Sequence, residues 1–299
     1  MPNTRDIRRR IKSVGNTAQI TRAMQMVAAS KMRKAQQAAL AGRPYAALIN
    51  DVLAKAAARA GVFGHPLMEK RAVKRRAIIL VSTDRGLCGA LNGNLFREVV
   101  KFDGRTTTFI TAGKKAAQFI ARTKRSFAAE FTYKDIPQFD ESRAISRFAQ
   151  DLFLKGEVDE VDILFTNFIS TLSQQPKVVP FLPIGKIEAV RAGHGEAQTG
   201  ESPAIDATTD VFEFEPDETT VLGALLPHSL NFHVHQILLE ARASEHSARM
   251  VAMKNATDNA QQLIKSLTLE YNKLRQSNIT KELLEIATAQ MAVDRKSVV

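Results

Sequence analysis

Residues 5–39 read RDIRRRIKSVGNTAQITRAMQMVAASKMRKAQQAA, and Ile7, Ile11, Val14, Ala18, Thr21, Gln25, Ala28, Met32, Ala35 and Ala39 recur there at alternating steps of four and three. That spacing draws one heptad-like seam along a long helix, because side chains three and four apart share a helical face. Alanine keeps the seam narrow, so a partner helix can approach closely. The rest of the surface is basic: Arg5, Arg8, Arg9, Arg10, Lys12, Arg22, Lys31, Arg33, Lys34 and Arg43 stand against the single acid Asp6. Gly42 and Pro44 are expected to kink or interrupt the helix, since proline lacks a backbone donor and crowds the preceding turn. Helix is expected to resume from Tyr45 to Ala60 and to stop near Gly61 and Gly64, which makes residues 1–62 an N-terminal coiled-coil segment.

The far end of the chain repeats the pattern. Pro216, Asp217 and Glu218 suit the first turn of a helix, where a missing donor costs little and negative charge meets the positive end of the dipole. Leu230, Val234, Ile237, Ala241, Ser244, Ala248 and Val251 form a second four-and-three seam, with Pro227 placed to kink its start. Beyond Val251 the seam reads polar through Asn255, Asp258, Asn259 and Gln262, then apolar at Leu263, Leu267, Ile279, Leu283 and Ile286. An unbroken helix over 216–293 is roughly 110 Å long at about 1.5 Å per residue, more than a small globular core can bury. Residues 294–299 are left as a tail.

Between these ends the period changes. Ala77 to Ser82 (AIILVS) is a short apolar run behind charges, the mark of a buried strand. Helical pattern follows from Ala90 to Phe102, strand from Thr106 to Thr111, helix from Gly113 to Arg122, helix from Glu141 to Lys155, and strand from Val161 to Phe165. Strands alternating with helices imply an open, mostly parallel α/β sheet within residues 73–212. Residues 189–210, rich in Gly, Ala, Thr and acids, read as a flexible loop. The simplest packing is an antiparallel coiled coil of the two terminal helices beside this central α/β domain.

Composition narrows the function. Lys and Arg number 42 against 31 Asp and Glu in 299 residues, a formal net charge of +11, which points to acidic partners. With no Trp and three Tyr, the chain is poor in stacking platforms for single-stranded nucleic acid. The one cysteine, Cys88, allows no internal disulfide and fits a reducing compartment. Met1 to Arg10 carries no apolar run of a secretory signal, and no stretch approaches the roughly 20 apolar residues a bilayer crossing needs.

Three stretches then carry a resemblance that covers nearly the whole chain: Asn16–Lys34 (NTAQITRAMQMVAASKMRK), Val81–Asn92 (VSTDRGLCGALN), and Ser244–Ala260 (SEHSARMVAMKNATDNA) followed by Tyr271–Ile286 (YNKLRQSNITKELLEI). In order, spacing and total length they resemble the gamma subunits of bacterial rotary ATP synthases. The resemblance implies a coiled coil of the terminal helices inside a hexameric ring of alpha and beta subunits. It places a Rossmann-like α/β domain at the foot, near the epsilon subunit and the membrane ring of c subunits. It further implies a subunit without catalytic site, cofactor, metal or nucleic acid, peripheral at the cytoplasmic face of the plasma membrane and driven by protons or sodium ions.

By the same resemblance, Met24, Lys31, Arg33 and the Cys88 loop match positions near an acidic loop of beta. Glu245 and Arg249 match a polar coupling region around the same neck. Arg275, Gln276, Thr280, Glu282 and Glu285 match an upper region that hydrogen-bonds a beta loop, and Ile286 to Val293 an apolar tip. The chain departs from the family at Ala287-Thr288-Ala289-Gln290-Met291, where Gly-Ala is usual. A lone cysteine also leaves no pair for a thiol switch.

Read without the resemblance, several features offer sharper alternatives. Gly86, Gly89 and Gly93 follow a strand as a phosphate cradle would, but neither GxGxxG nor a Walker lysine is present, and a structural turn is the plainer reading. His228, His233, His235 and His246 lack the spacing of HExxH or His-x-x-x-His. Cys88 has no histidine beside it in the chain. Met24, Met26 and Met32 suit either a pliable contact surface or plain core. An enzyme built on the α/β domain and a basic coiled coil on nucleic acid therefore stand as the competing functions, the second with salt-sensitive binding.

Overall fold

The computed structural model describes residues 4–59, 64–184, 215 and 217–296. The segment 189–210 and the last three residues of the tail, for which a loop and a tail were expected, lie outside the described residues. Contacts gather the chain into two compact units, one of residues 1–27 with 250–299 and one of residues 28–249.

The larger unit holds a five-stranded sheet in the order β3-β2-β1-β4-β5. Its strands are β1 (Arg76–Val81), β2 (Thr107–Ala112), β3 (Ser126–Phe131), β4 (Glu160–Phe168) and β5 (Gln174–Leu182). Strands β1, β2, β3 and β4 pair parallel, and β5 adds antiparallel to the edge of β4. Parallel neighbours need crossovers, supplied by α2 (Leu91–Val100), α3 (Lys114–Arg122) and α4 (Phe139–Leu154). In β1 the pleat sends Ile78 and Leu80 to one face, where Leu95, Val99, Phe109, Ala116 and Ile120 close the core. Ala77, Ile79 and Val81 point to the other face, onto Ile145, Ala149 and Phe153 of α4 and Leu222 to Leu238 of the C-terminal helix. A strand buried on both sides explains why AIILVS shows no alternation.

Both termini are helical: α1 spans Thr4–Arg59 and α5 spans Glu218–Lys296. The expected break at Gly42–Pro44 does not occur, since α1 runs through Pro44 and α5 through Pro227. Packing against α5 holds the chain helical at the first site. Gln236 of α5 donates from Nε2 to the Ala39 carbonyl at 2.9 Å, and Tyr45 packs against Phe232 at 4.9 Å and hydrogen-bonds His228. A Cβ on Gly42 would lie 2.8 Å from Gln236 Oε1, so glycine lets the two helices close on each other. The contacts 39 to 236 and 45 to 228 run in opposite directions along the chain, so the helices are antiparallel.

The smaller unit pairs residues 4–27 of α1 with 250–296 of α5. Ile7 and Thr21 are buried and Ile11, Val14, Ala18 and Gln25 half-buried, as the seam requires. On α5 the buried positions are Met253, Thr257, Ala260 and Leu267, and Thr21 meets Thr257 hydroxyl to hydroxyl at 2.7 Å. The seam expected at Asn255, Asp258, Asn259 and Gln262 is corrected: those side chains are exposed. A straight helix drifts about 20° per heptad, so a register extended from Leu230 arrives on the wrong face.

Candidate functional site

The parallel strands change direction of travel between β1 and β4, the place where open α/β sheets hold ligands beyond the carboxyl ends of their strands. Here the chain's own atoms fill that place. The first three amides of α3, which would otherwise attract an anion, are taken. Lys114 N–H donates to Asp84 Oδ1 at 3.1 Å, Lys115 N–H to the Thr83 carbonyl at 3.1 Å, and Ala116 N–H to Ser82 Oγ at 2.8 Å. The glycine loop after β1 is held internally, with Thr83 Oγ1 donating to the Arg85 carbonyl and Asn92 Nδ2 to Thr83 Oγ1, both at 2.7 Å. It turns through Leu87 and Gly89 at φ near +60°. The cavity between Thr83, Tyr133, Thr166 and Glu245 measures about 10 Å³, far below the hundreds of Å³ of small-molecule sites.

Arg242 of α5 closes the crevice. Its side chain is 2% exposed, and its guanidinium lies over the Tyr133 ring, 4.0 Å from the centroid. Nη1 donates to Glu245 Oε2 at 2.6 Å; Nη2 donates to Asp84 Oδ2 at 2.8 Å and to the Tyr133 carbonyl at 2.6 Å; Nε donates to the Lys134 carbonyl at 3.2 Å. The other Glu245 oxygen accepts from Arg249 Nη2 at 2.7 Å, and the same nitrogen reaches the Gly86 carbonyl at 3.4 Å. Two cations and two anions thus meet with their charges balanced, Arg242 and Glu245 buried and Asp84 partly exposed, the condition under which buried ions are tolerated. Burial opposes the charge on Arg242, but Tyr133, Glu245 and Asp84 outweigh it and push its pKa up. Burial raises Tyr133 and Cys88, the latter partly offset by the Arg249 charge.

His246 lies beside this network, 2% exposed. Its Nδ1 faces Arg249 Nη1 at 3.4 Å, and its Nε2 has no hydrogen-bond partner among the described residues, with Asp135 Oδ1 4.0 Å away. Burial above all lowers its pKa to about 4, and the Arg249 and Arg242 charges add to this. Asp135 is paired to Lys31, whose hydrogen bond is the main cause of its lowered pKa.

Of the residues singled out in the sequence, the fold therefore brings Glu245 and Arg249 against the Cys88 loop, and Lys31 to the same neighbourhood through Asp135. Glu245 is 4% exposed with both oxygens engaged. Arg33 is exposed, as are Arg275, Gln276, Thr280, Glu282 and Glu285, while Met24 is half-buried. Met32 is core and Met26 is 61% exposed, so the methionines divide between the two roles. Thr280 donates to the Gln276 carbonyl of its own helix at 2.9 Å. Side chains from 289 onward, including most of the divergent tip, lie outside the described residues.

Sequence reading missed Arg242, Tyr133 and Asp135. The available signal was a charge inside the long apolar face before Ser244, with an acid three residues on. His235 bonds Ser142 Oγ at 2.9 Å and His228 bonds Tyr45, as ordinary helix-face histidines do. Among the described residues no His, Cys, Asp and Glu gather to hold a metal, and no helix is long and apolar enough to cross a membrane.

An α/β domain whose crevice is sealed by its own side chains, in a chain whose long terminal helices run antiparallel, defines a helical scaffold protein. The ATP synthase family model matches residues 3–293. The ATP synthase gamma chain of Opitutus terrae is 49% identical over 296 residues, which are 98% of this chain and 99% of that one. That of Methylacidiphilum infernorum is 44% identical over 298 residues, 98% of this chain and all of that one. Among solved structures, a chain of the Euglena gracilis mitochondrial ATP synthase, OSCP/F1/c-ring in rotational state 3, shares the fold, with TM-score 0.68 at 20% identity over 99% of this chain and 96% of that one. The chain belongs to the ATP synthase gamma chain family.

Proposed function

We propose that this chain is the central rotor shaft of the synthase, a non-catalytic subunit that couples rotation of a membrane ion ring to the three catalytic beta subunits. The observation that carries this is the state of residues 275–288, every one of them exposed on all sides of the helix. Ile279, Leu283, Leu284 and Ile286, between 49% and 63% exposed, stand among them. Apolar residues distributed around a whole helix find no core in their own chain and call for a surrounding partner. A collar of alpha and beta subunits is such a partner, with Arg275, Gln276, Thr280, Glu282 and Glu285 offering hydrogen bonds to it. Lower on the shaft, Met24, Lys31, Arg33 and the Cys88 loop face an acidic loop of beta. Glu245 acts there by holding Arg249, since its own carboxylate is fully engaged.

An asymmetric shaft meets each beta subunit with a different face, and only such differential contact shifts an open–closed equilibrium. The α/β domain belongs at the foot with the epsilon subunit and the c ring, on the cytoplasmic side of the membrane. Reconstitution tests the reading: the chain is mixed with alpha and beta subunits from the same source, and complex and ATP hydrolysis are measured. One copy per three alpha–beta pairs, with activity that depends on it, is expected. No complex and no change in hydrolysis overturns the proposal.

A further inference from the structure

We infer that Arg242 is a positioning residue, the joint that fixes the Leu222–Arg249 stretch of α5 in register on the α/β sheet; the inference rests on the rotor reading above. From Leu222 to Leu239 the helix meets the sheet through apolar side chains, and its polar bonds Asn231 to Gln150 and His235 to Ser142 go to α4 instead. Apolar contact is strong but non-directional, so it resists separation of a helix from a sheet better than it resists sliding or turning about the helix axis. From Arg242 to Ser247 the buried side chains other than Ala243 are polar: Arg242, Ser244, Glu245, His246 and Ser247. Here the fastening has direction. The planar guanidinium fork binds the loop after β1 through Asp84, the segment after β3 through the Tyr133 and Lys134 carbonyls, and its own helix through Glu245. Ser247 adds a donor bond to the Thr171 carbonyl at 2.8 Å.

Buried ion pairs are poor stabilisers compared with apolar residues of the same volume, and their best-attested use is to set register. A fork of fixed geometry bound on three sides sets both the height and the rotation of α5. It thereby also fixes where Arg249 stands against the Gly86 carbonyl.

The test uses the complete membrane-bound synthase carrying wild-type chain, Arg242→Lys or Arg242→Met, and measures ions pumped per ATP hydrolysed together with the melting temperature of the complex. Lysine keeps the charge and loses the fork; methionine fills the volume and loses both. Register-setting predicts that the pumping ratio falls in the order wild type, Lys, Met, with at least a threefold loss for Met, while Met melts no lower than Lys. A Met variant that pumps with the wild-type ratio, or losses that simply follow melting temperature, overturns the inference. Should Met fail to assemble, Asp84→Asn, at a partly exposed position, decides: about a twofold loss supports the joint, and unchanged ratios in both Asn and Lys variants refute it. If the wild-type chain itself supports no coupled pumping, the rotor reading falls instead.

Discussion

Acidification should loosen the larger unit through His246. Burial, with Arg249 and Arg242 close by, brings the imidazole to a pKa of about 4, against 6.5 for a histidine in water. Arg249 can only donate, so Nδ1 accepts and the neutral ring carries its proton on Nε2; a second proton would have to enter on Nδ1, facing the Arg249 guanidinium. Glu245 and Asp135 favour the charged ring but do not outweigh burial. Because the folded-state pKa is depressed, the unfolded chain binds the extra proton first, and stability is lost as pH falls from about 6.5 to about 4. The loss is about 1 kcal/mol at pH 5.5 and about 3 kcal/mol below pH 4, at roughly 1.4 kcal/mol per tenfold change in binding. Two measurements check it. The C2 proton resonance of His246, assigned by its absence in His246→Gln, should titrate near pH 4. Denaturant midpoints should fall less steeply below pH 6.5 in His246→Gln than in the wild type. A resonance that titrates between pH 6 and 7, or identical slopes in the two proteins, refutes the reasoning.

Asp162 acts in the opposite sense. Burial first and Glu160 second raise its pKa to about 6, so stability falls as pH rises from about 4 to about 6, and Asp162→Asn should stabilise the chain by about 2 kcal/mol more at pH 7.5 than at pH 4 in denaturant titrations. Arg76 keeps its bonds to Glu160 at 2.6 and 3.0 Å in that variant. Gly113→Ala should cost at least about 3 kcal/mol by thermal melting, because φ is +112° and a Cβ would lie 2.3 Å from the Ser82 carbonyl oxygen. Phe153→Ala removes a fully buried ring that also lies 4.9 Å from the Arg71 guanidinium, and about 3–5 kcal/mol of destabilisation is expected in the same assay. Gln276→Ala, at an exposed position, should leave melting within about 0.5 kcal/mol yet lower coupled ATP synthesis in the assembled complex.

Periodicity alone made the terminal helices, the seam from Ile7 to Ala39 and three strands legible, because those signals are local: a step of three and four, or an apolar run between charges. Strands β3 and β5 escaped for an equally physical reason. SFAAEF is largely exposed at the sheet edge, and QQPKVVPFL carries Pro176 and Pro180, which an edge strand accepts and which mask its pattern. The continuity of α1 through Pro44 was also undecidable locally, since the contacts that hold that turn come from Gln236 and Phe232 of α5, about two hundred residues away in sequence. Positions that match the family's motifs could be marked on the sequence, but their surroundings could not. Arg242 looks like any helix-face cation until folding brings Asp84 and Tyr133 to it across separations of 158 and 109 residues. A sequence determines which faces are apolar and which side chains carry charge. Only the tertiary structure decides which charges are removed from water together, because the cost of burying each is met by partners that no local pattern specifies.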